Sequence, residues 1–205
     1  MIHTSLSFLT QQINDYLKLA TDDPATDRVF LTGVATESAG IIIPDSSLGL
    51  SLINIEEERH FKDQGTMFTN PEGTTEYINP EIKLNLYVLI SANFQDTRDP
   101  DPTDDYVEGL KQLSYVISFF QSKNVFTPDN SPAMADADPS LRKLVVELYS
   151  YSFEQLYNFW SVVGAKYLPS VLYRVRMIRF QERAVKSTAK PIEKIGINSQ
   201  GVGHG

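Results

Sequence analysis

Apolar residues recur at helical spacing near the start of the chain, where Leu6, Leu9, Ile13, Tyr16, Leu17 and Ala20 share a stripe and Thr10, Gln11, Asn14 and Lys18 lie opposite. The spacing predicts an amphipathic helix over 5–19. Asp22-Asp23-Pro24 ends it, because the residue before a proline is pushed out of the helical region. A short strand is expected at 28–34, and a second at 48–55, where Leu48, Leu50 and Leu52 alternate with Gly49, Ser51 and Asn54. That strand runs into Glu56-Glu57-Glu58-Arg59, so its far end should be wet or paired with another chain. Residues 62–80 hold Gly65, Pro71, Gly73 and Pro80 among polar residues and read as a long loop or hairpin arm.

The strongest alternation follows, with Leu84, Leu86, Val88 and Ile90 on one face and Asn85, Tyr87, Leu89 and Ser91 on the other, as a central strand requires. The acidic turn at 99–105 then opens a second helix marked by Tyr106, Leu110, Leu113, Ile117 and Phe120. Pro128, Pro132 and Pro139 predict a loop, and Leu144, Val146 and Leu148 a strand. Ser152-Phe153-Glu154-Gln155 is a capping box for a third helix through Leu156, Phe159, Trp160 and Val163, which Gly164 stops. After Pro169 a last strand sets Val171, Tyr173, Val175 and Met177 against Leu172, Arg174, Arg176 and Ile178, one face core and the other cationic. The expected architecture is a single α/β domain over 1–183, with a mixed sheet and about three helices, followed by a flexible tail at 184–205 that lacks periodicity. No internal repeat is visible.

Charge sharpens this picture. The net charge is −8, yet residues 166–205 hold eight Lys or Arg against Glu182 and Glu193, a net of +6 that leaves −14 for the first 165 residues. An acidic body with a basic end suits head-to-tail packing on copies of itself or on an acidic partner; a solvated basic tail is the plainer reading. Overall acidity argues against nucleic-acid binding, including single-strand binding through the cations near Tyr173. No apolar run approaches the roughly 18 residues of a membrane span, and the N-terminus has no signal-peptide pattern, so synthesis and folding in the cytoplasm are expected. Absence of cysteine removes disulfides, thiolate nucleophiles and thiolate metal sites.

Candidate chemistry is sparse. His3, His60 and His204 stand at no ligand spacing and read as solvated side chains. Asp99, Asp101, Asp104 and Asp105 resemble a calcium loop only superficially: its glycine position holds Asp104 and its closing glutamate position holds Leu110, so helix capping accounts for them better. Of the run Glu56, Glu57 and Glu58, only Glu56 and Glu58 can share a strand face, and an exposed strand end is commoner than a catalytic pair. The glycines are isolated, with no phosphate loop, dinucleotide fingerprint or nucleophile elbow. No catalytic residue, cofactor or metal is expected.

Several stretches together are similar to a known family: Met1-Ile2-His3-Thr4 opening a helix, Leu52-Ile53-Asn54-Ile55-Glu56-Glu57-Glu58-Arg59, Leu84-Asn85-Leu86-Tyr87-Val88-Leu89, Phe119-Phe120-Gln121-Ser122-Lys123, and the run from Trp160 through Tyr167-Leu168-Pro169 to Met177. Over about residues 1–180 they resemble the N-terminal domain family of cap proteins from extracellular contractile injection systems, the antifeeding-prophage and virulence-cassette particles. The resemblance implies a tail-terminator-like fold and a subunit of a hexameric ring. Such a ring sits on the last layer of inner tube and sheath and ends their polymerisation, without catalysis or cofactor, in a particle released from the cell. A layer of tube or sheath ends in unsatisfied heterologous surfaces, which a ring with one complementary and one inert face would close. The interface expected from charge is a basic edge of Arg174, Arg176 and Arg179, with the tail after residue 184, against an acidic neighbour; Glu56, Glu57, Glu58 and Arg59 would contribute across the ring. Those arginines could equally coat a solvated sheet edge. An adaptor or head-to-tail connector of another phage-tail-like assembly is the alternative function, and a small hydrolase a more distant one.

Overall fold

The computed structural model describes residues 2–37, 40–58, 67–69, 75–77, 82–94, 102–179 and 187–189. In chain order the elements are α1 (Ile2–Ala20), β1 (Val29–Leu31), β2 (Ala35–Thr36), β3 (Gly40–Ile41), β4 (Ser47–Glu57), β5 (Met67–Thr69), β6 (Thr75–Tyr77), β7 (Ile82–Asn93), α2 (Pro102–Ser122), β8 (Val125–Phe126), α3 (Pro132–Ala137), β9 (Leu141–Leu148), α4 (Phe153–Val163), β10 (Ser170–Arg179) and β11 (Ser187–Ala189). Six strands form one mixed sheet in the order β1-β4-β7-β10-β9-β8, in which β1 joins β4 in parallel and the other pairings are antiparallel. The expected single α/β domain with a mixed sheet is thus what forms, with four helices among the described residues instead of about three.

One face of the sheet carries the larger core. Leu48 and Leu50 of β4, Leu86, Val88 and Ile90 of β7, and Tyr173, Val175 and Met177 of β10 pack there under α1, α2 and α3. From α1 the buried side chains include Leu6, Leu9, Ile13 and Leu17, which is the stripe the spacing marks. Burying each stabilises by about 1.5–3 kcal/mol. The opposite face holds a smaller cluster in which Trp160, Leu156 and Phe159 of α4 meet Leu89, Leu172 and Val34. α4 keeps the capping box read from sequence: Ser152 Oγ accepts from the Gln155 amide, Gln155 Oε1 accepts from the Ser152 amide, and Gly164 closes the helix at a φ of 68°.

Several expectations are corrected. Asn14 belongs to the core instead of the wet side of α1: it is buried and bonded to β1. In α2 the inward face is Leu113, Val116, Phe119 and Phe120, whereas Tyr106, Leu110 and Ile117 stand 50%, 40% and 41% exposed. Gly109 fixes that rotation, because its bare Cα lies against Phe94. The proline loop contains α3, with Pro132 at its first turn, where the missing N–H costs nothing, and Met134 buried. Of the two readings of 62–80, loop or hairpin arm, the second holds, since β5 and β6 pair as an antiparallel hairpin; β11, from the expected flexible tail, adds to it. The remainder of 184–205 lies outside the described residues. β10 is an interior strand between β7 and β9, so Arg174 and Arg176 lie on the open sheet face and not on a sheet edge.

Candidate functional site

Four of the sequence-derived candidates, Glu56, Glu58, Arg174 and Arg176, lie on the face opposite the larger core, and one extra residue in β4 puts the two glutamates there. Leu50 opposes Ile90 and Leu52 opposes Val88, but the register then slips and Asn54 opposes Tyr87. Ile53 is the additional residue of a β-bulge. Because strand side chains alternate, the slip moves even-numbered positions of β4 from the core face to the open face. Leu52 is therefore the last of its series on the core side, where it is partly exposed, and Glu56 lands beside Asn85 and Tyr87. Alternation counted straight through 48–58 cannot detect this, since nothing in Leu52-Ile53-Asn54 marks an insertion.

Across the open face the charges are held in separate contacts. Glu56 Oε2 accepts from the Tyr87 hydroxyl at 3.0 Å, and Glu58 Oε2 accepts from Asn85 Nδ2 at 3.1 Å, so Glu56 and Glu58 do share a side. Arg174 opposes Tyr87 on β7 and Glu147 on β9, and its Nη2 reaches Glu147 Oε2 at 2.7 Å. Arg176 donates to the other oxygen of the same carboxylate. Two arginines on one glutamate leave one positive charge in excess. Partial burial pushes the Glu147 carboxyl up, but the hydrogen bonds from Arg174 and Arg176 outweigh it and hold the group below its ordinary value. Burial, followed by the bond to Glu56, raises the Tyr87 phenol. Glu57 falls on the core-face side opposite Leu84, apart from the other two. Arg59 and the Arg179 side chain lie outside the described residues, as do His60, His204, Asp99 and Asp101. Asp104 and Asp105 sit in the first turn of α2, where a helix favours acids.

Among the hollows on this face, two lie beside these charges. One, of about 240 Å³, lies between the start of α4 and the sheet, with Tyr87, Tyr149, Tyr151 and Phe159 in its wall and Glu56 at its rim. The other, of about 250 Å³, is bordered by Glu58, Lys83, Lys143 and Arg176. Among the described residues no group of three His, Asp or Glu is placed to hold a metal, and no helix is long and apolar enough to cross a membrane.

The family described as the Pvc16 N-terminal domain matches residues 6–194. This chain belongs to that family. The Pvc16 N-terminal match runs from the first turns of α1 past β11 and so takes in every strand of the open face. Two solved structures share the family fold. One is the anti-feeding prophage cap, described as a tube-terminating cap, with a TM-score of 0.56 and 13% identity over 93% of this chain. The other is the sheath/tube terminator, in the extended state, of the extracellular contractile injection system PVC, with a TM-score of 0.54 and 14% identity over 94% of this chain. The chain spans 60% and 63% of the length of those two proteins. Among curated proteins, none matches it in sequence.

Proposed function

We propose that this chain is a structural terminator: a cap subunit that forms a ring, a hexamer, on the last layer of a contractile injection particle and joins inner tube to sheath. The carrying observation is the Pvc16 N-terminal match over residues 6–194, with a fold shared along almost the whole chain with two tube or sheath terminators. The role is non-enzymatic and needs no cofactor, nucleic acid or membrane. Assembly takes place in the cytoplasm, and the particle is then released.

The surface supports a protein that works by contact. α2 presents Tyr106, Val107, Leu110 and Ile117 to solvent, a second apolar stripe on a helix whose other side is already in the core. Beside it runs a groove of about 540 Å³ bordered by Ile117, Phe120, Leu148 and Tyr173, whose buried hydroxyl has no partner among the described residues. A helix apolar on both sides is one that a neighbouring subunit covers. The charge surplus of Arg174 and Arg176 on the open face engages an acidic neighbour, and Arg179 and the residues after 184 are assigned to the same contact. Glu56, Glu57, Glu58 and Arg59 contribute across the ring.

The experiment is the mass of the purified chain in solution, followed by negative-stain microscopy with and without tube and sheath proteins. Rings of about six subunits that cap and shorten tubes support the terminator reading. A monomer that ignores tube and sheath overturns it. Reversing the charge of Arg174, Arg176 and Arg179 together should abolish capping, and unchanged capping would remove these residues from the interface.

A further inference from the structure

The hollow at the start of α4 has a chemistry that the terminator reading does not require. Tyr87, Tyr149, Tyr151 and Phe159 surround it, and Tyr87 meets Tyr149 edge to face with centroids 5.2 Å apart. Glu56 closes one side. Its carboxylate accepts from the Tyr87 hydroxyl at 3.0 Å and from Asn54 Nδ2 at 3.2 Å, both uncharged donors. Arg174, which opposes Tyr87 in the sheet, gives its guanidinium to Glu147. Among the described residues Glu56 therefore has hydrogen-bond partners but no cation.

Ring faces carry negative electrostatic potential, so several around one space attract a cation, and a carboxylate beside them adds the counter-charge. An anion would be drawn by the start of α4, but there Gln155 N donates to Ser152 and Ser152 N donates to Gln155, so these amides are already engaged. The hollow's volume of about 240 Å³ is below the roughly 300–1,000 Å³ of sites for drug-sized ligands, and suits one long side chain. A guanidinium can lie flat on a tyrosine ring while its N–H fork points at a carboxylate, a combination a lysine ammonium cannot make. We propose that this hollow receives an arginine side chain presented by another protein chain, with Glu56, held by Tyr87, as its ion partner and the Tyr149 ring as its stacking surface.

The probes are N-acetyl-arginine N-methylamide and its citrulline counterpart, which keeps the shape and loses the charge. Saturation-transfer NMR on the full chain should give saturable arginine binding in the millimolar range and citrulline binding about tenfold weaker. Glu56→Gln should weaken arginine binding about fivefold and leave citrulline binding unchanged, while Tyr149→Leu should remove most of the arginine signal. Equal binding of the two probes by the unaltered chain overturns the proposal without recourse to any variant. Unreduced arginine binding by the Glu56→Gln chain overturns it as well.

Discussion

Asn14 and Val29 are joined twice: Asn14 Nδ2 donates to the Val29 carbonyl and Asn14 Oδ1 accepts from the Val29 amide, both at 2.9 Å. The same oxygen accepts from the Arg28 amide at 2.9 Å. One buried side chain thus satisfies three backbone groups of the segment that leads into the edge strand β1 and ties that strand to α1. Asn14→Leu keeps the bulk and removes all three bonds, leaving polar backbone groups stranded under the helix. The expected loss is about 2–4 kcal/mol, read as a lower urea midpoint with little change in slope. A loss under about 1 kcal/mol would mean that water replaces the amide and that α1 holds β1 by apolar contact alone.

Glu147 makes a stability claim that depends on pH. Its folded pKa lies below the ordinary glutamate value of 4.5 because Arg174 and Arg176 bond to it. A depressed folded pKa contributes stability that is present in full above the ordinary value and lost as pH falls through the folded one. All three side chains are partly exposed, so solvent screens the pairs and the contribution is about 1 kcal/mol. Glu147→Gln should therefore be less stable than the unaltered chain at pH 7 by about that amount, and the two should converge in acid below the folded pKa. A gap that persists in acid would assign the effect to packing.

Gly49 is required by a neighbour and not by its backbone. A Cβ at this position would stand 2.5 Å from Cγ1 and 2.6 Å from Cδ1 of Ile43, a buried member of the smaller cluster. Gly49→Ala should cost about 1–3 kcal/mol through forced displacement of Ile43. In the Ile43→Ala background, where space is already open, the added methyl should cost far less, so the double-mutant cycle should be strongly non-additive. Additive losses would place the cost in the strand backbone of β4.

Much of this fold is written in local pattern. The stripe Leu6, Leu9, Ile13, Leu17, the alternation in β7 and β10, and the Ser152 to Gly164 caps depend on neighbours in sequence, and each is found as its spacing predicts. The failures share a cause. The bulge at Ile53, the burial of Asn14 and the rotation of α2 are set by what lies across the molecule: the register with β7, the unpaired backbone near β1, and Phe94 against Gly109. The candidate site inherits that limit. Its charged residues were legible as charges, but the convergence of Glu56, Tyr87 and Tyr149 on one hollow needs a slip in strand register that no residue type announces.

The α2 stripe provides the sharpest separation of assembly from folding. Leu110 and Ile117 are two turns apart on the solvent side of a helix whose core contacts come from Leu113, Val116, Phe119 and Phe120. Leu110 and Ile117 are 40% and 41% exposed, so substituting both by Glu gives up only part of a buried side chain at each position, and Glu is a good helix former; the isolated subunit should lose about 1–3 kcal/mol and stay folded. In a ring whose subunits cover this stripe, the same pair would place two carboxylates in an apolar interface, where desolvation without partners costs several kcal/mol per contact. Leu110→Glu with Ile117→Glu should therefore yield a folded chain, cooperative in thermal unfolding, that fails to form rings or to cap tubes under the microscope. Tubes capped at normal length by this variant would place the subunit contact elsewhere and leave the stripe as an exposed surface of the finished cap.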